Sequence, residues 1–284
     1  MAEIEGLVRA LREGDDAAKA AAAQALGDLL YDDLTANDDA NIILIAEAGA
    51  IPPLVKLLRD GSAEANAGAA WALRHLAYKN AVNQVAIAEA GAIPLLVDLL
   101  RHGSADAKEE AACALCNLTH SNAANQVLIA EAGGIPRLVD LLRDGSTDAK
   151  FYAAATLCNI AYTNASNKVL IAGAGGIAPL VDLLRDVCAD LKRTAAVALR
   201  NLARDNDANA IAIALTVGLE ALVELARDGG VTVDSRSVVS NAGIAAKRKA
   251  ALVVGALLRA CVPDEVRSRA DVQDVIRGVI GAYL

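Results

Sequence analysis

The chain has 284 residues, is 55% apolar with only 2% aromatic, and carries a formal net charge of -8. That negative balance works against general affinity for nucleic acid or anionic membrane, where lysine and arginine would have to neutralise phosphates. Alanine raises the mean hydropathy, and the longest apolar stretches, such as Ala250 to Leu258, fall well short of the roughly 20 residues that a spanning helix needs.

Five cysteines (Cys113, Cys116, Cys158, Cys188, Cys261) form an odd set, and the first residues lack the charged, apolar and cleavage regions of a signal peptide. Reduced thiols and a cytoplasmic location are expected, with the nucleus as the alternative.

Residues 4 to 31 read as two helices, aligned with later copies through Arg12, Gly14 and Lys19, and residues 1–40 form a partial repeat with a five-residue insertion within 31–40. From Asn41 the chain repeats. Asn41, Asn83, Asn125, Asn167 and Asn209 stand 42 residues apart, and Leu54, Leu96, Leu138, Leu180 and Leu222 recur in step. A fixed period of this length signals a solenoid with one continuous core. One elongated domain is expected, with regular repeats 41–82, 83–124, 125–166 and 167–208.

Each repeat divides into three helices. In the copy from Asn125, that asparagine suits the N-cap of a short first helix, and Gly133 and Gly134 break it. Pro136 opens the second helix, since proline fits a first turn. Arg143 closes it, and Gly145 suits a left-handed turn there. Ser146, with Asp148 in the first turn, caps a third helix that ends before Asn164; Ser62 with Glu64 and Ser104 with Asp106 repeat this opening. Alanine-rich third helices allow close stacking. Beyond Asn209, the chain reads as an irregular repeat over 209–262 with an inserted loop at 229–241, then capping helices over 263–284.

The segments I-A-E-A-G-A-I-P-x-L-V-x-L-L and A-L-x-N-L, the latter as Ala114-Leu115-Cys116-Asn117-Leu118, Thr156-Leu157-Cys158-Asn159-Ile160 and Ala198-Leu199-Arg200-Asn201-Leu202, carry a family resemblance. Over residues 4 to about 260 the chain resembles the armadillo repeat family and is most similar to vacuolar and plant armadillo adaptors. HEAT repeats, the nearest relatives, usually have two helices and lack the glycine junction. The resemblance implies an all-α, right-handed superhelical solenoid. It also implies a non-catalytic scaffold whose third helices line a concave groove, where the asparagine of A-L-x-N-L bonds an extended peptide.

A side-chain amide can pair with both the C=O and the N-H of one peptide residue, so Asn117, Asn159 and Asn201 are candidate peptide ligands. Asparagine can equally bond a neighbouring turn or the adjacent repeat. Residues seven before, four before and three after the asparagine share its helix face. They add Trp71, Tyr78, Glu110, His120, Tyr152, Tyr162 and Arg204, with His75 in place of the asparagine and Tyr31 from the partial repeat. No repeat joins a tryptophan to an asparagine four residues later, as importin-alpha-like grooves do, and a catenin-like groove would be strongly basic. The expected partner is a protein or an extended peptide. Self-association through the terminal repeats is the rival, and nuclear-import-like cargo binding a weaker one.

Three motifs imitate chemistry. Lys168 to Ala178 resembles a strand running into a G-x-G-x-x-A dinucleotide fingerprint, but its sister copies carry Glu131 for Gly173 and Pro136 for Ala178. Cys113-Ala-Leu-Cys116 lies in mid-helix without a second ligand pair, and Cys116 recurs as Cys158 at a packing position. His75, His102 and His120 have no nucleophile at motif spacing. No catalytic residue, metal or cofactor is expected.

Overall fold

The computed structural model describes residues 1–36, 40–162, 164–186, 188–213 and 216. The insertion loop at 229–241 and the capping helices at 263–284 lie outside the described residues. Among the described residues there is no strand, and no single helix is long and apolar enough to cross a membrane.

The chain forms two compact units, Met1–Thr156 and Leu157–Leu284. In the first unit the helices are α1 (Ala2–Glu13), α2 (Asp16–Ala36), α3 (Ala40–Glu47), α4 (Ile51–Asp60), α5 (Ala63–Ala77), α6 (Ala81–Glu89), α7 (Ala92–His102), α8 (Ala105–Thr119), α9 (Ala123–Glu131) and α10 (Gly134–Asp144). Helix α11 (Thr147–Ala161) straddles the boundary between the units. The second unit continues with α12 (Ala165–Gly173), α13 (Ile177–Asp182), α14 (Ala189–Ala203) and α15 (Asp207–Ile213).

The third helix of each repeat starts as its residues dictate. Ser62, Ser104 and Ser146 hydroxyls accept from the N-H groups of Ala65, Ala107 and Ala149 at 3.2, 3.2 and 3.0 Å. Cys188 replaces serine at the start of α14 and makes no such cap. The helix before it is also altered: α13 gives way to a 3-10 turn over Leu183–Arg185.

Small residues then set the packing distance. Ala69, Ala70, Ala72, Ala111, Ala112 and Ala114 are fully buried. A Cβ on Gly68 would lie 3.3 Å from the Gln24 backbone N, which shows how closely α5 approaches α2. Large aliphatics supply the bulk of the core, among them Leu54, Leu73, Leu96, Leu115 and Leu118. Burying each such side chain stabilises the fold by about 1.5–3 kcal/mol before chain entropy is counted.

The first and second helices meet at a left-handed glycine, Gly49, Gly91, Gly133 or Gly175, with φ between +75° and +83°. Glycine reaches this region without the steric cost a Cβ brings. Gly175 makes the same turn between α12 and α13, so Lys168 to Ala178 is helix, turn and helix.

Two sequence expectations are corrected. Gly145 is extended, with φ -75° and ψ 167°, because the Ser146 cap needs an extended entry into α11. The asparagine series from Asn83 is also not the cap series. Asn80, Asn122, Asn164 and Asn206 are the caps, each accepting from the N-H of Asn83, Asn125, Asn167 and Asn209 at 3.0 to 3.1 Å.

The residues at 83, 125, 167 and 209 lie inside the helix and are buried. Their side-chain amides turn back toward the preceding third helix. Asn83, Asn125 and Asn209 donate to the carbonyls of Leu76, Leu118 and Leu202 at 2.9, 3.0 and 3.2 Å. Asn125 also reaches Gln84 O at 3.4 Å, and Asn209 reaches Lys168 O at 3.1 Å. Carbonyls at a helix C-terminus have no partner inside the helix, and these asparagines supply one.

Candidate functional site

In the first unit, α2, α5, α8 and α11 bring Tyr31, Trp71, Arg74, His75, Glu110, Cys113 and Tyr152 into one cluster. Arg74 is its centre. Its Nη1 donates to Glu110 Oε2 at 2.8 Å, and its guanidinium lies 4.6 Å from the Trp71 ring centroid and 5.8 Å from that of Tyr152. Trp71 and Arg74 stand three residues apart on α5, a spacing that puts them on one face, while Glu110 comes from α8 and Tyr152 from α11.

Trp71 also makes aromatic contacts. His75 meets it edge-on with centroids 4.5 Å apart, and Tyr31 packs at 5.7 Å from Trp71 and 5.9 Å from His75. Gly27 makes room, since a Cβ there would fall 1.7 Å from Trp71 Cδ1. Among the described residues, Trp71 Nε1 and His75 Nε2 are buried without a hydrogen-bond partner.

The burial shows in the acid-base chemistry. His75, only 4% exposed, has its pKa lowered from the ordinary 6.5 to about 4 by burial and secondly by the charge of Arg74. It is therefore neutral at physiological pH. Burial pushes the Cys113 thiol up to about 11, and the Tyr152 hydroxyl, bonded to that thiol, is likewise pushed up by burial. Burial pushes the Glu110 carboxyl up against the pull of Arg74. No activated nucleophile results, since catalysis by cysteine needs a lowered thiol pKa. Among the described residues no group of histidine, cysteine or carboxylate side chains could hold a metal ion.

Asn117 underlies this cluster rather than facing outward freely. It is half-buried, and its Nδ2 donates to Arg74 O at 2.8 Å, tying α8 to α5. Tyr78 and His120 are exposed at the C-terminal ends of α5 and α8. Lys79 Nζ sits 4.9 Å over the Tyr78 ring.

In the second unit, Asn201 is 1% exposed, and its Nδ2 donates to Cys158 O at 3.1 Å and Cys158 Sγ at 3.2 Å. Arg200 Nη2 occupies the Asn201 oxygen at 2.9 Å. Asn159 is half-buried. Cys116 and Cys158 are half-buried as well, not the fully buried packing thiols expected of them. Arg204 donates to Tyr162 O and lies 4.8 Å over the Tyr162 ring, which is 50% exposed. Lys168 Nζ donates in turn to Arg204 O.

The Armadillo/beta-catenin-like repeat family matches residues 38–78, 80–120, 122–162 and 164–204, more than half of the chain. The chain belongs to the armadillo repeat family. No curated protein matches it. Among solved structures it is similar to an engineered protein at 29% identity and a TM-score of 0.77, covering 92% of this chain and 98% of that one. A designed armadillo repeat protein aligns at 28% identity and a TM-score of 0.75, over 89% of this chain and 99% of that one. Another designed armadillo repeat protein, solved in complex with the peptide (KR)4, aligns at 29% identity and a TM-score of 0.72, over 89% and 99% of the two chains.

Placed in the armadillo frame, Trp71, His75, Glu110 and Tyr152 converge in the first unit, while Tyr162 and Arg204 pair in the second. Sequence reasoning missed Arg74. Its signal was the variable position of A-L-x-N-L, which reads Ala72-Leu73-Arg74-His75-Leu76 in this repeat and holds cysteine at Cys116 and Cys158.

Proposed function

We propose that this armadillo chain is a non-catalytic scaffold that binds an extended peptide across its third helices. The observation that carries the reading is the cluster of Tyr31, Trp71, Arg74, Glu110 and Tyr152 on four successive third helices of the first unit. Aromatic and arginine side chains gathered in one place are the composition of an interaction hot spot. A designed relative of similar fold was solved with a peptide bound.

The N-Q-V-L-I-A-E-A-G-G-I-P copies support a place beside the vacuolar and plant armadillo adaptors. The odd cysteine count and acidic charge support a cytoplasmic or nuclear site of action and no nucleic-acid ligand.

The test is a peptide-display selection on the full chain, followed by titration of the selected peptide against wild type and Tyr31→Ala. Tyr31 is 47% exposed, so its truncation leaves the core intact. A loss of about tenfold or more in affinity is expected, since an anchoring aromatic contributes more than about 1.4 kcal/mol. Unchanged affinity in a folded variant removes the third helices as the peptide's seat.

Self-association is the second reading, favoured by Ile43, Val82, Val85, Val127 and Leu128, exposed on the first helices of the first unit. Sedimentation at rising concentration decides it.

A further inference from the structure

We infer that Arg74 is the selectivity residue of this face: its guanidinium fills a cation seat built by Trp71, Tyr152 and Glu110, so the chain refuses basic side chains there. The inference rests on the peptide-binding reading above and names which peptides that face takes.

A guanidinium needs an aromatic face and a carboxylate, and both are present. The Trp71 ring lies 4.6 Å below it, the Tyr152 ring 5.8 Å away, and Glu110 Oε2 accepts at 2.8 Å. Aromatic faces attract cations through the ring quadrupole within about 6 Å, and a guanidinium-carboxylate hydrogen bond is charge-assisted. A free arginine or lysine of a peptide would find the same three partners equally suitable. Arg74 is already there.

The occupant is tethered. Arg74 grows from the same helix as Trp71, one turn away, so it competes at an effective concentration of roughly millimolar or above, and its backbone is fixed by Asn117 at 2.8 Å. An incoming cation must expel it and leave a half-buried guanidinium without its carboxylate, a costly exchange.

The seat is assembled once among the regular repeats. At the register of Trp71 the later repeats carry Cys113, Ala155 and Val197, and at that of Arg74 they carry Cys116, Cys158 and Arg200. Tyr152 stands at the register of Glu110 one repeat later, so successive copies of one position supply the carboxylate and the second ring. A peptide bound by the wild-type chain therefore places a side chain other than lysine or arginine over this seat.

The experiment is fluorescence polarisation of labelled (KR)4 against four full-length proteins: wild type, Arg74→Ala, the charge-matched exposed control Arg101→Ala, and Arg74→Ala with Glu110→Gln. Arg74→Ala is expected to bind at least about tenfold more tightly than wild type. Arg101→Ala is expected to match wild type, and the double variant to lose the gain. Wild type binding as tightly as Arg74→Ala, or Arg74→Ala binding no better than Arg101→Ala, overturns the inference. If thermal melting shows Arg74→Ala unfolded, Arg74→Gln takes its place with the same criteria.

The display-selected peptide separates the two readings. If it loses affinity on Tyr31→Ala while Arg74→Ala gains nothing for (KR)4, the occlusion falls and the face stands. If Tyr31→Ala leaves it unchanged, the face fails and the occlusion with it.

Discussion

Asn122 and Asn125 lie three residues apart at the start of one short helix, yet aspartate in their places should have very unequal consequences. At position 122 the side-chain oxygen makes the cap, accepting from the Asn125 N-H at 3.1 Å, while Nδ2 makes only a long contact with Gln84 Oε1 at 3.5 Å. Aspartate caps as well as asparagine and its charge suits a helix N-terminus, so Asn122→Asp should change stability by no more than about 0.5 kcal/mol. At position 125 the side chain works as a donor, to Leu118 O at 3.0 Å and Gln84 O at 3.4 Å, with 2% of the residue exposed.

A carboxylate there loses both bonds, at about 1 kcal/mol each, and faces two carbonyl oxygens out of water. The total for Asn125→Asp at neutral pH is on the order of 4 kcal/mol. Urea unfolding followed by far-ultraviolet circular dichroism measures both. Burial raises the pKa of the introduced carboxyl above its unfolded value, so the penalty is full at neutral pH and shrinks as the pH falls and the group becomes a donor. Equal costs for the two variants, or a larger one at 122, would refute the division into cap and tie.

Four further outcomes follow from the same structure. His75 is neutral in the fold, its pKa lowered from 6.5 to about 4, so its contribution is present above pH 6.5 and lost as pH falls toward 4. That slope, up to about 3 kcal/mol, should be absent from His75→Asn in denaturation midpoints compared across that pH range. Gly133→Ala meets no atom within 4 Å but keeps φ at +75°, so it should cost about 1–2 kcal/mol with unchanged tryptophan emission. Gly27→Ala must instead move the Trp71 indole from 1.7 Å, costing about 1–3 kcal/mol and shifting the emission of the chain's single tryptophan. Iodoacetamide should label Cys113 after Cys116, Cys158 and Cys188, because its thiol is buried with a pKa of about 11 while theirs are half-buried; earlier labelling of Cys113 would contradict that burial.

The period, the helix class and the serine caps were legible because each depends on local chemistry that recurs in register. The asparagines were harder. Two series run in parallel, one at 80, 122, 164 and 206 and one three residues later, and both suit the N-terminus of a helix. Which one caps depends on where the third helix ends. It ends two residues before Lys79, Ser121 and Asp205, which adopt φ of +50°, +56° and +55°, a conformation that no glycine advertises there.

Of the candidate site, the aromatic positions were visible from helical spacing, whereas Arg74 lay off the offsets chosen from the asparagine. The inward direction of Asn201 was not readable either, since an amide's donors serve a neighbouring helix or a ligand equally well.

The reach of the asparagine ties has a consequence for how such a chain changes length. Asn125 bonds residues 7 and 41 positions back, Asn209 does the same, and Asn117 and Asn201 each bond 43 back. None of these bonds reaches past the preceding copy. A whole unit of 42 residues could therefore be duplicated or lost in frame, and every amide would still meet a carbonyl at the same offset, so gene-level expansion leaves the hydrogen-bond grammar of the array unbroken.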